Sequence, residues 1–136
     1  MRKIVVSLIA SAALVLSGCA NPPIESFDGN WLLTSATDAQ GTLVDGVDGG
    51  TLVTIDGDEI SGQICNNWGG NIAIDGSSVV ISSVYSTKMA CNKPDGIMDF
   101  EMRFLNDLSL ITSIELVNGG LRLTSDAVTL DFAASE

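Results

Sequence analysis

The sequence contains no histidine, and that absence removes much of the usual catalytic repertoire. No Ser-His-Asp or Cys-His arrangement can form, and neither can a zinc site with an imidazole ligand. Basic residues are scarce: six Lys and Arg stand against 17 Asp and Glu, for a net charge of −11. Such a surface repels phosphate backbones and anionic lipid, so nucleic acid is not an expected partner. Solubility accounts for the acidity without any activity. Aromatic residues make up only 5% of the chain: Trp31, Trp68, Tyr85 and four phenylalanines. Cysteine occurs three times, at Cys19, Cys65 and Cys91.

What is present begins with an address. Met1-Arg2-Lys3 is a short basic start, and Ile4 to Leu16 is an apolar run of 13 residues broken only by Ser7 and Ser11. That run is too short for a stable membrane-spanning helix and has the layout of a secretory signal peptide. It ends in Leu16-Ser17-Gly18-Cys19, which resembles a bacterial lipoprotein box; an ordinary signal with a chance cysteine is the competing account. The expectation is therefore a signal peptide over 1–18, a lipidated tether over 19–26 starting at Cys19, and a single folded domain over 27–136. Acyl chains contribute about 0.8 kcal/mol per buried CH2, so a lipidated Cys19 anchors the chain to a membrane. In a Gram-negative cell, Ala20 after the cysteine favours the periplasmic face of the outer membrane. Loss of Arg2 and Lys3 with the signal leaves four basic residues against 17 acidic ones, a net of −13.

The rest of the chain is punctuated by Asp-Gly and Asn-Gly pairs at Asp28, Asp45, Asp48, Asp56, Asp75 and Asn118. These supply the positive φ angles that tight hairpins demand. Between them lie short segments of strand type. Near the end Ile114 and Leu116, then Leu121 and Leu123, then Val128, Leu130 and Phe132 alternate with polar residues, as in a half-buried antiparallel sheet. One segment has a different period. Ile97, Phe100, Phe104, Leu105, Leu108 and Ile111 are spaced by three and four, which predicts an amphipathic helix within Pro94–Ile111 with Asp99, Glu101, Arg103, Asn106 and Asp107 on its polar side. Pro94 and Asp95 suit its first turn. The fold class expected is α+β, mainly β: an antiparallel meander of about eight strands, a curved sheet or open barrel with one helix packed against it.

With Cys19 assigned to lipid, Cys65 and Cys91 remain. A zinc site from two thiols without histidine is poor, and a redox dithiol usually has Cys-x-x-Cys spacing. An even pair in an oxidising compartment most simply forms a disulfide; closing a loop of this length stabilises by about 3.5 kcal/mol in the chain-entropy model. The Asp45 and Asp56 loops offer oxygen ligands for calcium, but neither has EF-hand spacing and both are explained as turns. Among 17 acids some carboxylate pair is always near, so Glu59, Glu101 and Asp99 carry no catalytic signal. Lys88, placed on a strand, is the sole candidate for a buried base. Trp31 reads as a core anchor. Trp68, in a glycine-flanked turn, reads either as core or as an exposed platform, and with Asn66 and Asn67 it forms the candidate binding set. No catalytic residue, metal or cofactor is expected.

These residues resemble the META domain, also called HslJ-like. The similarity rests on Trp31 in the opening strand, Gly62 with Cys65-Asn66, Thr87 to Cys91, Glu101 with Phe104 and Leu105, and the closing Leu121, Leu123, Leu130 and Phe132. It spans about Phe27 to Ala133. One departure is Asn66 to Ile74, where members often carry a small residue and an aromatic before the next strand. The resemblance implies a small β-rich domain with one packed helix, frequently a secreted or lipid-anchored envelope protein linked to stress response or antibiotic tolerance. No enzymatic activity is established for such domains. Their fold is similar to pilot lipoproteins of type III secretion, which bind a partner protein or lipid.

The leading expectation is thus a non-enzymatic envelope lipoprotein of the stress response that binds a partner protein or an apolar small molecule. An inhibitor-like or protective module, forming a stoichiometric complex with an envelope enzyme, is the alternative. An enzyme built on Lys88 is the third reading, and a fully exposed Lys88 ends it. Intact mass after thiol alkylation, with and without reductant, tests the cysteine assignment. Cys65 and Cys91 should resist alkylation until reduced; free reaction of both in protein taken from the envelope would return a metal or redox role to the front.

Overall fold

Short alternating segments separated by glycine turns can bury their apolar faces only by pairing with one another. The computed structural model describes residues 26–43 and 50–136. The signal segment 1–18, Cys19, the tether up to residue 25, and the Asp45 and Asp48 turns with their candidate calcium ligands lie outside the described residues. The strands are β1 Gly29–Asp38, β2 Gly41–Thr42, β3 Leu52–Asp56, β4 Glu59–Gln63, β5 Asn67–Asp75, β6 Ser78–Ser86, β7 Ser113–Val117, β8 Gly120–Thr124 and β9 Thr129–Ser135, with helix α1 at Ile97–Leu108 between β6 and β7.

All the pairings are antiparallel, in the order β2-β1-β3-β4-β5-β6-β7-β8-β9, and β1 also pairs with β9. That added pairing, from Asn30↔Ser135 to Thr37↔Thr129, bends the sheet into a ring. The ring has a thin seam. β6 and β7 share the single pair Ser78↔Ser113, flanked by Val79 N–H to Thr112 C=O at 3.1 Å and Ile114 N–H to Ser77 C=O at 2.9 Å. The expected meander is therefore present with nine strands, one of them only two residues long.

The turn chemistry explains the registers. Val117 pairs with Gly120 across Asn118-Gly119, whose φ angles of 52° and 79° are both positive, as a two-residue hairpin of the right twist requires. The Asp56 and Asp75 turns also close two-residue hairpins, pairing Asp56↔Glu59 and Asp75↔Ser78. Asp28-Gly29 is not a turn: Gly29 opens β1, and Asp28 Oδ1 accepts the Gly57 N–H at 2.9 Å, tying the β3–β4 hairpin to the start of the fold.

Helix α1 packs its apolar face against the sheet. Ile97, Phe100, Phe104 and Leu108 face inward and are buried, Phe104 and Leu108 completely. Burying a side chain of this size is worth about 1.5–3 kcal/mol. Phe104 stacks on Phe100 at 5.7 Å and meets Trp68 edge-on at 5.9 Å. Trp31 is buried on β1, as expected, and its Nε1 donates to Phe27 C=O at 3.0 Å. The helix is shorter than the predicted span: Pro94 and Asp95 form the preceding turn, Pro94 C=O accepting from Ile97 N–H at 3.2 Å.

The polar side of the helix is the main correction. Glu101 and Asp107, expected to face water, are each only 4% exposed, because Asn66 in the β4–β5 bend sits on Glu101 and the Asp38–Arg103 pair lies beside Asp107. Arg103 reaches Asp38 at the end of β1 with Nε to Oδ2 at 3.0 Å and Nη2 to Oδ1 at 2.7 Å, and Gln40 N–H donates to the same Oδ1 at 2.7 Å. The hydrogen bond from Arg103 holds Asp38 below the usual carboxylate range. Asp107 lies beside this pair, its buried Oδ2 without a hydrogen-bond partner among the described residues. Burial first, then the nearby Asp38 charge, pushes its pKa up to about 6; only a protonated Asp107 can donate to Asp38.

The raised pKa of Asp107 gives a signed prediction. The folded chain retains this proton while the unfolded chain releases it above its ordinary pKa of 3.8. Its contribution to stability is complete below that value, falls as pH rises toward 6, and stays lost above. Asp107→Asn, which stays neutral and can still donate, should be more stable than wild type by about 1–2 kcal/mol at pH 8. The gain should vanish near pH 4. Denaturant melts at the two pH values check this; a gain that does not change with pH would refute the assignment.

Candidate functional site

Between β4 and β5 the chain bends sharply at Ile64–Asn66, and three constraints converge there. Cys65 is disulfide-bonded to Cys91, with Cα atoms 6.0 Å apart. Asn66 is buried, and its side chain acts as a clamp on the segment after β6. Its Oδ1 accepts from Met89 N–H at 2.6 Å and from Thr87 Oγ1 at 3.0 Å, while its Nδ2 donates to Met89 C=O at 3.2 Å. The same Nδ2 donates to Glu101 Oε1 at 2.6 Å, and Asn66 N–H donates to Glu101 Oε2 at 2.7 Å. Both carboxylate oxygens of the helix are thus satisfied by one residue, which is what makes the burial of Glu101 tolerable.

The clamp has an architectural result. Residues 87–91 leave the sheet as an extended segment and run beside the outer face of α1 rather than continuing β6. A groove of about 410 Å³ opens between them, with Asn66 and Glu101 at its floor and Met89, Met98, Met102 and Leu105 on its walls. Met89 is 56% exposed, Met98 38% and Met102 66%. Every methionine of the sequence after Met1 lines this groove. Tyr85, also exposed, borders an adjoining depression that shares Ser86, Lys88 and Leu105.

The predicted binding residues separate. Asn66 is buried in the clamp, with its amide oxygen and nitrogen both engaged. Trp68 is buried in β5 and is core, not a platform; its ring lies across Gly62, where a Cβ would come within 2.8 Å of it and within 2.6 Å of Leu52 C=O. Trp68 Nε1 has no hydrogen-bond partner among the described residues, and apolar contact, including the edge-on contact with Phe104, holds the ring. Asn67 alone of the three is exposed, at the start of β5, and its C=O accepts from Thr87 N–H at 2.9 Å. Lys88 is an exposed residue on the groove's edge and belongs to no strand, so it is not a buried base. Among the described residues no group of three His, Cys, Asp or Glu side chains could hold a metal ion.

Met89, Met98, Met102 and Glu101 were not singled out as a site from the sequence. Met98 and Met102 did leave a signal: two apolar residues four apart on the helix face that the core stripe does not use. The clamp generates a test. Asn66→Asp places a carboxylate against Glu101 and removes the donors that satisfy it, and should cost about 3–5 kcal/mol. Glu101→Gln keeps an acceptor and should cost clearly less. Chemical denaturation separates the two; equal losses would mean that the charge of Glu101 is not what Asn66 serves.

Known folds and a known family fit this geometry. The fold is similar to an NMR structure of a protein from Burkholderia xenovorans, with TM-score 0.64 and 25% identity over 79% of this chain and 82% of that one. It is similar to a crystal structure of a DUF4847 family protein from Bacteroides vulgatus, with TM-score 0.58 and 14% identity over 79% and 93% of the two chains. No curated protein matches the sequence. The META domain model matches residues 24–136, which include the clamp, the disulfide and the helix, and the chain belongs to the META domain family.

Proposed function

We propose that the protein is a non-enzymatic binding module of the cell envelope, anchored through Cys19, that holds an apolar segment of a partner protein in a stress response. The observation that carries this reading is the gathering of exposed apolar side chains on one side of the fold. Tyr85, Met89, Met98 and Met102 adjoin one another around the groove and the depression beside it, whereas Leu52, Val80 and Leu110 line neither, and the inner face of the same helix is fully committed to the core. Exposed apolar patches of this kind mark interaction sites, and methionine suits partners whose shape varies, because its side chain is unbranched and polarizable. A protein segment fits better than an enclosed small molecule. The interior of the ring is occupied by Phe100, Phe104 and Leu108, whereas the methionine groove is open along the surface. The acid excess of the chain favours a segment flanked by basic residues.

A photo-crosslinking residue in place of Met98 tests the proposal in intact cells. One discrete adduct should form, and Met102→Glu should abolish it, while the same residue in place of the exposed Val80 on β6 gives none. Identical patterns at both positions, or no adduct at either, would overturn it.

A further inference from the structure

The groove carries a second property that needs no protein partner. Its walls bring together three thioethers. Met98 and Met102 are four residues apart on α1, so their side chains are neighbours on one helix face. Met89 comes from the opposite wall, where its N–H and C=O are both gripped by Asn66 and its neighbour Cys91 is bonded to Cys65. The Met98 sulfur already points across the gap: it lies 3.4 Å from the Cys91 backbone nitrogen, which donates to it. The backbone around the three sulfurs is therefore fixed on both sides, and the flexible part is limited to the side chains themselves.

A thioether is a soft, uncharged donor with no proton to lose. It suits soft monovalent ions such as Cu(I) and is a poor ligand for the hard cations calcium and magnesium. The competing soft ligands are few here. The sequence has no histidine, and the sulfurs of Cys65 and Cys91 are consumed by their bond. Glu101, at the floor, has both oxygens engaged by Asn66. Simple burial of apolar surface does not explain the choice of residue, because Met89 and Met102 are more than half exposed. We propose that Met89, Met98 and Met102 form a three-thioether site for Cu(I), which Ag(I) also occupies. The net charge of −11 attracts such a cation to the surface.

The test uses the full-length chain with Cys19→Ala, so that a free thiol cannot compete, in chloride-free buffer. Ag(I) is titrated while the methionine methyl resonances are followed by NMR, and Cu(I) is then measured by competition with a chelator under anaerobic conditions. One equivalent of Ag(I) should move the methyls of Met89, Met98 and Met102 together and leave that of Met1 in place. Replacing any one of the three by leucine should weaken both ions at least about tenfold, and the triple leucine variant should lose the site while keeping the thermal midpoint of the metal-free protein. Methyls that shift independently at separate concentrations, or a triple variant that binds as tightly as the parent, would overturn the proposal. Met89→Leu combined with Met102→Leu keeps the groove apolar around a cross-linking residue at position 98, and cross-linking that survives in that variant while ion binding is lost would show that the two properties are separate.

Discussion

A carboxylate removed from water must find donors, and Glu101 finds them in Asn66 alone. That bond set joins the bend after β4 to helix α1. The remaining groups of the same asparagine then seize Thr87 and Met89, so the segment after β6 cannot follow the sheet. The path of that segment, the position of Cys91 beside Cys65, and the gap between segment and helix all follow from one buried amide meeting one buried acid. Buried pairs of this kind add little net stability when compared with apolar replacements, but they are expensive to break from one side. Their effect is to specify arrangement, and here the arrangement is the groove.

The architecture was largely legible in the sequence because its signals are local. Period-two alternation in the last three strands, the Asn118-Gly119 hairpin and the Ile97–Leu108 stripe each arise from neighbours in the chain. The pairing of β1 with β9 is not local, and nothing in either strand announces it. The burial of Glu101 and Asp107 was hidden for the same reason. A helical wheel assigns charged residues to solvent, and only residues distant in the chain, Asn66 over Glu101 and Asp38 beside Asp107, decide that water does not reach them. Trp68 is the converse case: its flanking glycines leave core and exposed platform both open, and burial decides for core, with Gly62 on the neighbouring strand leaving room for the ring.

The candidate site was less legible than the fold. Asn66, a candidate contact residue in the sequence, sits at the groove's floor with its amide engaged by Thr87, Met89 and Glu101. The residues on the groove's walls come from the helix and from the segment after β6, and their proximity depends on the disulfide and the clamp together. Exposed methionines on a helix look unremarkable one at a time. They become informative once Met89 is found on the facing wall.

Two glycines that look alike also differ in how freely they can change over evolutionary time. At Gly62 a side chain would strike the backbone oxygen of Leu52 at 2.6 Å, an atom that cannot move without disturbing β3, so the position is closed to substitution on its own. At Gly69 the obstacle is the Tyr85 hydroxyl, at 2.7 Å, and Tyr85 is exposed and can swing aside. Gly69 and Tyr85 are therefore free to drift as a coupled pair, each change opening the way for the other. Gly62 keeps its identity for as long as β3 and β4 remain side by side.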